Sequence, residues 1–330
     1  MSKLTFLLPL KDRADYTRTW LEHNVRPDYD YYVADGSLGD ENEAIFRKVN
    51  YPNITYVRYP NDLSSDCWVE KMFQSACRIQ TEYVMTCDND DFINYHGVAQ
   101  CINALERDEG VVCAAGQIYN VAEKKSSNAS TAYTLPVPGM CSAHLHNRTG
   151  FDAFSHLFTP YSYLWYSIYR TRVYREIWRD IKELRVSDIF LIEVLQSELT
   201  LCHGKYVQVE GNHYIRLCNP EQSSSRDAQV ETLNEGLYFT HKIYFDDDYR
   251  SQVLRMSGRI AKLLGVDLQK LLQEFIGYYI RPPHPSFGAR MYERVTRLYE
   301  IIPRHLGVYF PIEFGISFIN WYGKHVRRHL

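Results

Sequence analysis

The stretch Tyr83-Val84-Met85-Thr86-Cys87-Asp88-Asn89-Asp90-Asp91-Phe92 runs from an apolar segment into three carboxylates within four residues. The apolar part, with Val84 and its aromatic neighbours, reads as a buried strand. Three carboxylates crowded at the end of such a strand lose hydration and repel one another, and a cation relieves both costs. Hard divalent cations take oxygen ligands, often one or two carboxylates together with phosphate oxygens. The stretch therefore points to a metal–diphosphate site at the carboxyl edge of a sheet. Asp and Asn also build ordinary solvated turns after strands, and on spacing alone that reading stands beside the first. An EF-hand does not fit, because Phe92 and Ile93 fall where that loop needs an oxygen ligand and a glycine.

Outward from this stretch, strand and helix signals alternate. Residues 4–8 form an apolar strand, followed by a helical stretch over 15–24. Residues 31–34 read as a second strand ending at Asp35-Gly36-Ser37, with a helix at 41–49 and a third strand at 54–58. Residues 65–79 are amphipathic, with Trp68, Met72, Phe73 and Ala76 on one face. After the Tyr83 strand come a helix over 98–106 and a strand over 111–115. This order predicts an α/β fold: a Rossmann-like, mostly parallel central sheet flanked by helices, with ligands outside the strand carboxyl ends. Asp35 and Asp88 both fall at such ends.

Beyond residue 115 the signals change. Residues 126–138 are a polar run of small residues suited to a loop or lid. Phe158, Tyr161, Tyr163, Trp165, Tyr166 and Tyr169 make an aromatic block, part core and part cleft wall. Residues 206–209 read as a strand, followed by His213 and Arg216. Residues 246–280 are helical, and Arg281-Pro282-Pro283-His284-Pro285 breaks that pattern. From 281 to 330 there are eight Lys/Arg against three Glu, a net charge of +5 that leaves −8 for the rest of the chain. Val308, Tyr309, Phe310, Phe314, Ile316, Phe318, Ile319, Trp321 and Tyr322 lie among those charges. A basic, aromatic segment suits an anionic membrane surface, and equally a helix packed on the domain with a basic solvent face.

The chain of 330 residues has room for one large domain or two smaller ones. Its 45% hydrophobic and 23% charged residues are ordinary globular values. A net charge of −3 gives no support to nucleic-acid binding. The 27 tyrosines supply flat, amphipathic surfaces suited to sugars and interfaces. The first apolar run is too short for a signal peptide, and no 18-residue uncharged stretch predicts a membrane-spanning helix. The eight cysteines lack zinc or CxxC spacing and read as free thiols in a reducing compartment. The expected location is cytoplasmic, peripheral at the cytoplasmic membrane face if the tail binds lipid. The sequons at Asn53, Asn128 and Asn147 carry no meaning there.

Several of these pieces together resemble a family 2 glycosyltransferase of the GT-A fold. Pro9-Leu10-Lys11-Asp12-Arg13 is similar to the family's opening turn, and Ala34-Asp35-Gly36-Ser37 keeps three residues of its D-D-G-S element. Asp88-Asn89-Asp90-Asp91 is similar to the D-x-D motif with a further Asp. Ser187-Asp188-Ile189-Phe190-Leu191 matches an E-D helix start in part, and Tyr214-Ile215-Arg216 with Ser223 and Ser224 resembles a closing Y-x-R element. The resemblance spans residues 3–226 in order. It departs at Ala34, at Ser187 in place of Glu, and before the D-x-D strand, where an A-R-N element has no counterpart beyond nearby Lys71. The branch is thus a divergent one.

The resemblance implies a catalytic domain over 1–226, with a nucleotide-sugar half (1–115) and an acceptor half (116–226). A helical extension occupies 227–330. It implies a metal-dependent inverting transferase that moves sugar from a nucleotide-sugar donor to a glycan or lipid-linked acceptor in cell-surface polysaccharide synthesis. Asp188 would be the catalytic base, although Ser187 and Asp188 also suit a helix N-cap. Pro9, Asp12, Arg13, Asp35, Asp88 and Arg216 would bind the nucleotide sugar. Asp88, Asp90 and Asp91, with His213 as a further candidate, would hold Mn²⁺ or Mg²⁺. A lone His is more often structural.

Three other readings remain. A haloacid-dehalogenase-type phosphatase or phosphotransferase also uses D-x-D, but Phe92 stands where it needs Thr or Val, and its motif lies on the first strand. A nucleotidyltransferase would carry a glycine-rich phosphate loop, which residues 8–12 lack. The third is a nucleotide-sugar-binding module without activity, signalled by Ser187.

Overall fold

The computed structural model describes residues 2–125, 131–158, 161–162, 164–218, 242–280 and 310–325. Nine strands form one mixed sheet. In its first half β1 (Leu4–Leu8), β2 (Asp30–Asp35), β3 (Ile54–Arg58) and β4 (Tyr83–Thr86) run parallel. The helices α1 (Ala14–Asn24), α2 (Glu41–Val49) and α3 (Ser65–Arg78) connect them. These elements lie where the strand and helix periodicities predict them.

The second half is built around β6 (Val111–Val121) and β11 (Lys205–Leu217), which run parallel to each other. The strand β10 (Ile168–Arg170) runs antiparallel to both β4 and β6 and joins the halves. The short strands β5 (Phe92–Ile93) and β9 (Val137–Pro138) pair antiparallel with β11 and β6. The sheet order is β3-β2-β1-β4-β10-β6-β11-β5, with β9 beside β6. A separate ribbon pairs β7 (Glu123–Lys125) with β8 (Thr131–Tyr133). Residues 131–138, expected to be loop, thus contribute β8 and β9; residues 126–130 lie outside the described residues.

Both faces of the sheet are covered, which is why β1 is buried at every position. Leu4, Phe6 and Leu8 pack with Trp20 of α1, Phe46 of α2 and Val98 of α4 (Tyr95–Arg107). Leu7 and Val84 pack on the other face with α3, α5 (Gly150–Leu157), α6 (Thr171–Leu184) and α7 (Ile189–His203). Two close approaches demand glycine. A Cβ on Gly97 of α4 would lie 1.8 Å from the Asn212 carbonyl oxygen, and one on Gly116 of β6 would lie 2.1 Å from that of Gly211. Both glycines let their elements close on an irregular part of β11, where the register with β6 shifts between Gln208 and Tyr214.

The described helices after residue 241 pack against these layers. Residues 246–280 divide into α8 (Asp247–Leu264) and α9 (Leu268–Ile280) at Gly265, which takes a left-handed conformation. Arg259 of α8 clamps the buried Asp180 of α6 at 2.9–3.1 Å. The last helix, α10 (Ile312–His325), buries Ile312 and Ile319 against Phe92, Tyr133, Ile215 and Leu217. Its Phe314, Phe318 and Trp321 stay 37–53% exposed. The basic side chains from Arg281 to Arg304, the Pro-rich break and Ser223 with Ser224 lie outside the described residues, as does the boundary at 226. Among the described residues no helix is long and apolar enough to cross a membrane.

Candidate active site

The acidic stretch ends β4 and turns directly into β5, which pairs with Tyr214 and Ile215 of β11. Asp88, Asp90 and Asp91 are thereby fixed between two strands on opposite sides of β10 and β6. One carboxylate oxygen from each lies within 4.8 Å of the others. Each carboxylate also has one oxygen held by a protein donor. The Tyr166 hydroxyl donates to Asp88 Oδ2 at 2.5 Å, Arg13 Nη2 to Asp90 Oδ2 at 2.5 Å, and the Leu217 amide to Asp91 Oδ1 at 2.8 Å. The second oxygen of each has no protein donor among the described residues. Three carboxylates oriented by protein, each with one oxygen spare, fit a hard divalent cation.

Electrostatics point the same way. Burial, followed by the charge of Asp90, pushes the Asp88 carboxyl above its ordinary range. Burial, then Asp90 and Asp88, push the Asp91 carboxyl up further. A cluster that resists full ionisation by itself is one that a cation stabilises.

The surrounding loops hold this geometry. Asn24 donates to the Asp91 carbonyl and accepts from the Ile93 amide, tying α1 to the turn. Asn89 Nδ2 donates to the Arg13 carbonyl at 3.2 Å and to Thr17 Oγ1 at 3.1 Å. The Asp88 amide donates to the Tyr214 hydroxyl, and the rings of Tyr214 and Tyr166 stack 4.4 Å apart. Tyr166 and Tyr214 are thus site residues that the sequence reading left in an aromatic block and in a motif letter. Their density near β10 was the available signal, but nothing local said which ring faces the acids. A cleft of about 80 Å³ opens behind the turn, lined by Asp15, Tyr16, Asp90, Asp91, Glu123 and Tyr133 among others.

The remaining expected site residues lie at four places: after β1, at the end of β2, within β11 and at the start of α7. Pro9, Asp12 and Arg13 follow β1, beside the acid turn. The Asp12 amide donates to Ser37 Oγ at 2.6 Å, and Arg216 lies 5.7 Å over the Tyr166 ring. The fully buried Asp35 is engaged by its own loop and by β3: Oδ1 accepts from the Ser37 amide and hydroxyl, and Oδ2 from Tyr56 and Arg58 of β3. It therefore shapes the second strand end from within.

His213 is not placed as a metal ligand. It lies inside the thirteen-residue strand β11, as does Arg216, rather than after a short strand. Its Nδ1 is bonded to the Gly116 amide at 3.1 Å and its Nε2 to the Tyr166 carbonyl at 2.8 Å. With both nitrogens engaged by backbone, no lone pair remains for a metal. Burial pushes its pKa down to about 4, so the ring stays neutral.

Asp188 caps α7: its Oδ1 accepts from the amides of Phe190 at 3.0 Å and Leu191 at 3.1 Å. Its own amide and that of Ser187 donate to Gln252 of α8. Beside it opens a larger crevice of about 770 Å³, lined by Ser187, Asp66, Glu70, Lys182, Arg185 and Arg255, among others.

No protein-family model matches the chain, and no curated protein matches it by sequence. Among solved structures it is similar to the 1–349 fragment of TarS from S. aureus, at 14% identity and a TM-score of 0.48. That match covers 94% of this chain and 93% of the fragment. It is also similar to the mannosyltransferase PcManGT from Pyrobaculum calidifontis, solved with GDP-Man and Mn²⁺. There the identity is 11% and the TM-score 0.47, over 98% of this chain and 87% of that one. Against a longer TarS structure the identity is 13% and the TM-score 0.44, over 84% of this chain, which spans 54% of that protein's length.

Proposed function

We propose that this protein transfers a sugar from a nucleotide-sugar donor to a glycan or lipid-linked acceptor, with inversion, using a divalent cation. The observation that carries the reading is the acid turn after β4, where three protein-oriented carboxylates each keep one oxygen without a protein donor among the described residues. When bound, Mn²⁺ or Mg²⁺ would neutralise the departing diphosphate as a Lewis acid. Asp88, Asp90 and Asp91 would hold it.

The chain's own residues do the rest. Arg13 and Arg216 flank the cluster and would meet phosphate oxygens. Pro9, Asp12 and Asp35 shape the two strand-end loops that would receive the nucleoside. Asp188 would take the acceptor hydroxyl's proton as that oxygen attacks the anomeric carbon. Two amide donors fix the orientation of its carboxylate, and an acceptor would approach it through the crevice lined by the adjacent Ser187. The catalytic domain would span 1–226, and the basic residues of the 227–330 extension would meet an anionic membrane surface.

The test is thermal unfolding with UDP, GDP, UDP-GlcNAc and GDP-Man, each with and without Mn²⁺. One nucleotide should raise the melting temperature only when Mn²⁺ is present. Asp90→Asn should melt like the wild type without ligand and lose that rise. A rise that survives the substitution would remove Asp90 from the metal site.

A further inference from the structure

We infer that Arg13 is the resident counter-cation of the acid turn, and that a divalent cation binds there in competition with it. The inference rests on the metal reading above and adds a residue that sets the site's metal affinity.

Arg13 does not reach Asp90 by chance of side-chain rotation. Asp12 and Arg13 are consecutive non-glycine residues in the left-handed region, at φ 56° and 59°. Such a pair is uncommon and needs external support. The support is present. The Asp12 amide donates to Ser37 Oγ, Asn42 Nδ2 donates to the Asp12 carbonyl, and Asn89 Nδ2 donates to the Arg13 carbonyl. Asn89 stands between Asp88 and Asp90, so the acid turn holds the Arg13 backbone with one residue and its guanidinium with the next. The first turn of α1 closes on the same carbonyl through Tyr16 and Thr17.

The guanidinium is nonetheless incompletely satisfied. Its Nη2 meets Asp90 Oδ2 at 2.5 Å and its central carbon lies 4.7 Å from the Tyr16 ring centroid, but among the described residues its buried Nε has no hydrogen-bond partner. Among the described residues its ion pairing is to Asp90 alone, one of the three carboxylates a cation would use. Two cations that share the Asp90 carboxylate repel, and each must weaken the other by the same factor. The loop around Arg13 therefore keeps three close carboxylates compatible with folding, at the expense of affinity for the ion.

The experiment is titration of the full chain with Mn²⁺ alone, without nucleotide, read by the electron paramagnetic resonance of free Mn²⁺. Wild type, Arg13→Gln, Arg13→Lys and Asp90→Asn are compared, with melting curves to confirm folding. Arg13→Gln should bind Mn²⁺ about tenfold more tightly than wild type. Arg13→Lys should stay close to wild type, and Asp90→Asn should bind weakly. Equal or weaker binding by Arg13→Gln, with loss in Asp90→Asn, would overturn the counter-cation role and leave the metal site standing. Binding absent in both wild type and Arg13→Gln, or unaffected by Asp90→Asn, would overturn the metal reading itself.

Discussion

At the scale of single residues, buried ionisable groups are answered in different ways. The buried Lys71 ammonium meets Asp62 at 2.5 Å and the Leu10 carbonyl at 3.3 Å. His213 stays neutral between two backbone groups. Glu198 of α7 has no such partner: it is 1% exposed, and among the described residues neither carboxylate oxygen has a hydrogen-bond partner. Burial alone pushes its carboxyl well above the ordinary range. The native state therefore binds this proton more tightly than the unfolded chain does. The group's contribution to stability must then fall as pH rises from the ordinary carboxyl value towards the native one. Glu198→Gln removes the titration and keeps the shape. Its stability relative to wild type should grow between pH 5 and pH 7, by up to about 1.4 kcal/mol per pH unit. Urea unfolding at both pH values measures it, and a constant difference would mean that Glu198 is ionised in the fold.

At the scale of elements, what could be read from the sequence depended on how local the cause was. The alternation of 3.6-residue and two-residue periods placed β1 to β4 and α1 to α3 within a residue or so, because each buries a face that its own pattern defines. The acid turn was legible for the same reason: three carboxylates in four residues are a local anomaly. β10, β8 and β9 were not legible, since two or three residues become a strand only when long-range partners supply the ladder. Nor was the length of β11, which crosses Gly211 and stays paired because Gly97 and Gly116 make room for its irregularity. The N-terminus of α7 shows the limit most clearly. Sequence allowed Asp188 to be a cap or a base, and the geometry shows that it is at least a cap. Asparagine caps as well as aspartate but cannot accept a proton at neutral pH. Asp188→Asn should therefore leave the melting temperature unchanged and donor binding intact, while sugar transfer falls by at least about a hundredfold. Retention of more than a tenth of wild-type transfer would make Asp188 a cap alone.

At the scale of the whole molecule, the charge is divided along the chain. Residues 281–330 carry +5 and the remainder −8, although the total is only −3. An anionic membrane surface would repel the body and attract the tail. Within that tail the helix α10 docks through Ile312 and Ile319 and leaves Phe314, Phe318 and Trp321 exposed. Removing the helix would test nothing cleanly. It also contributes the Asn320–Asn94 hydrogen bond and the His23–Glu313 pair, and its loss would unsettle the region next to the acid turn. Arg327 and Arg328 follow α10 in sequence and lie outside the described residues, and substituting them changes charge while the packing residues of α10 stay as they are. Arg327→Gln with Arg328→Gln should keep the melting temperature and weaken binding to phosphatidylserine vesicles by about tenfold or more at low salt. Each basic residue near such a surface is worth about 1 kcal/mol. Raising salt should erase the difference, because exposed charges are screened within about 10 Å at 0.1 M. Co-sedimentation measures both. Equal vesicle binding by wild type and variant at low salt would mean that the end of the tail does not meet the membrane.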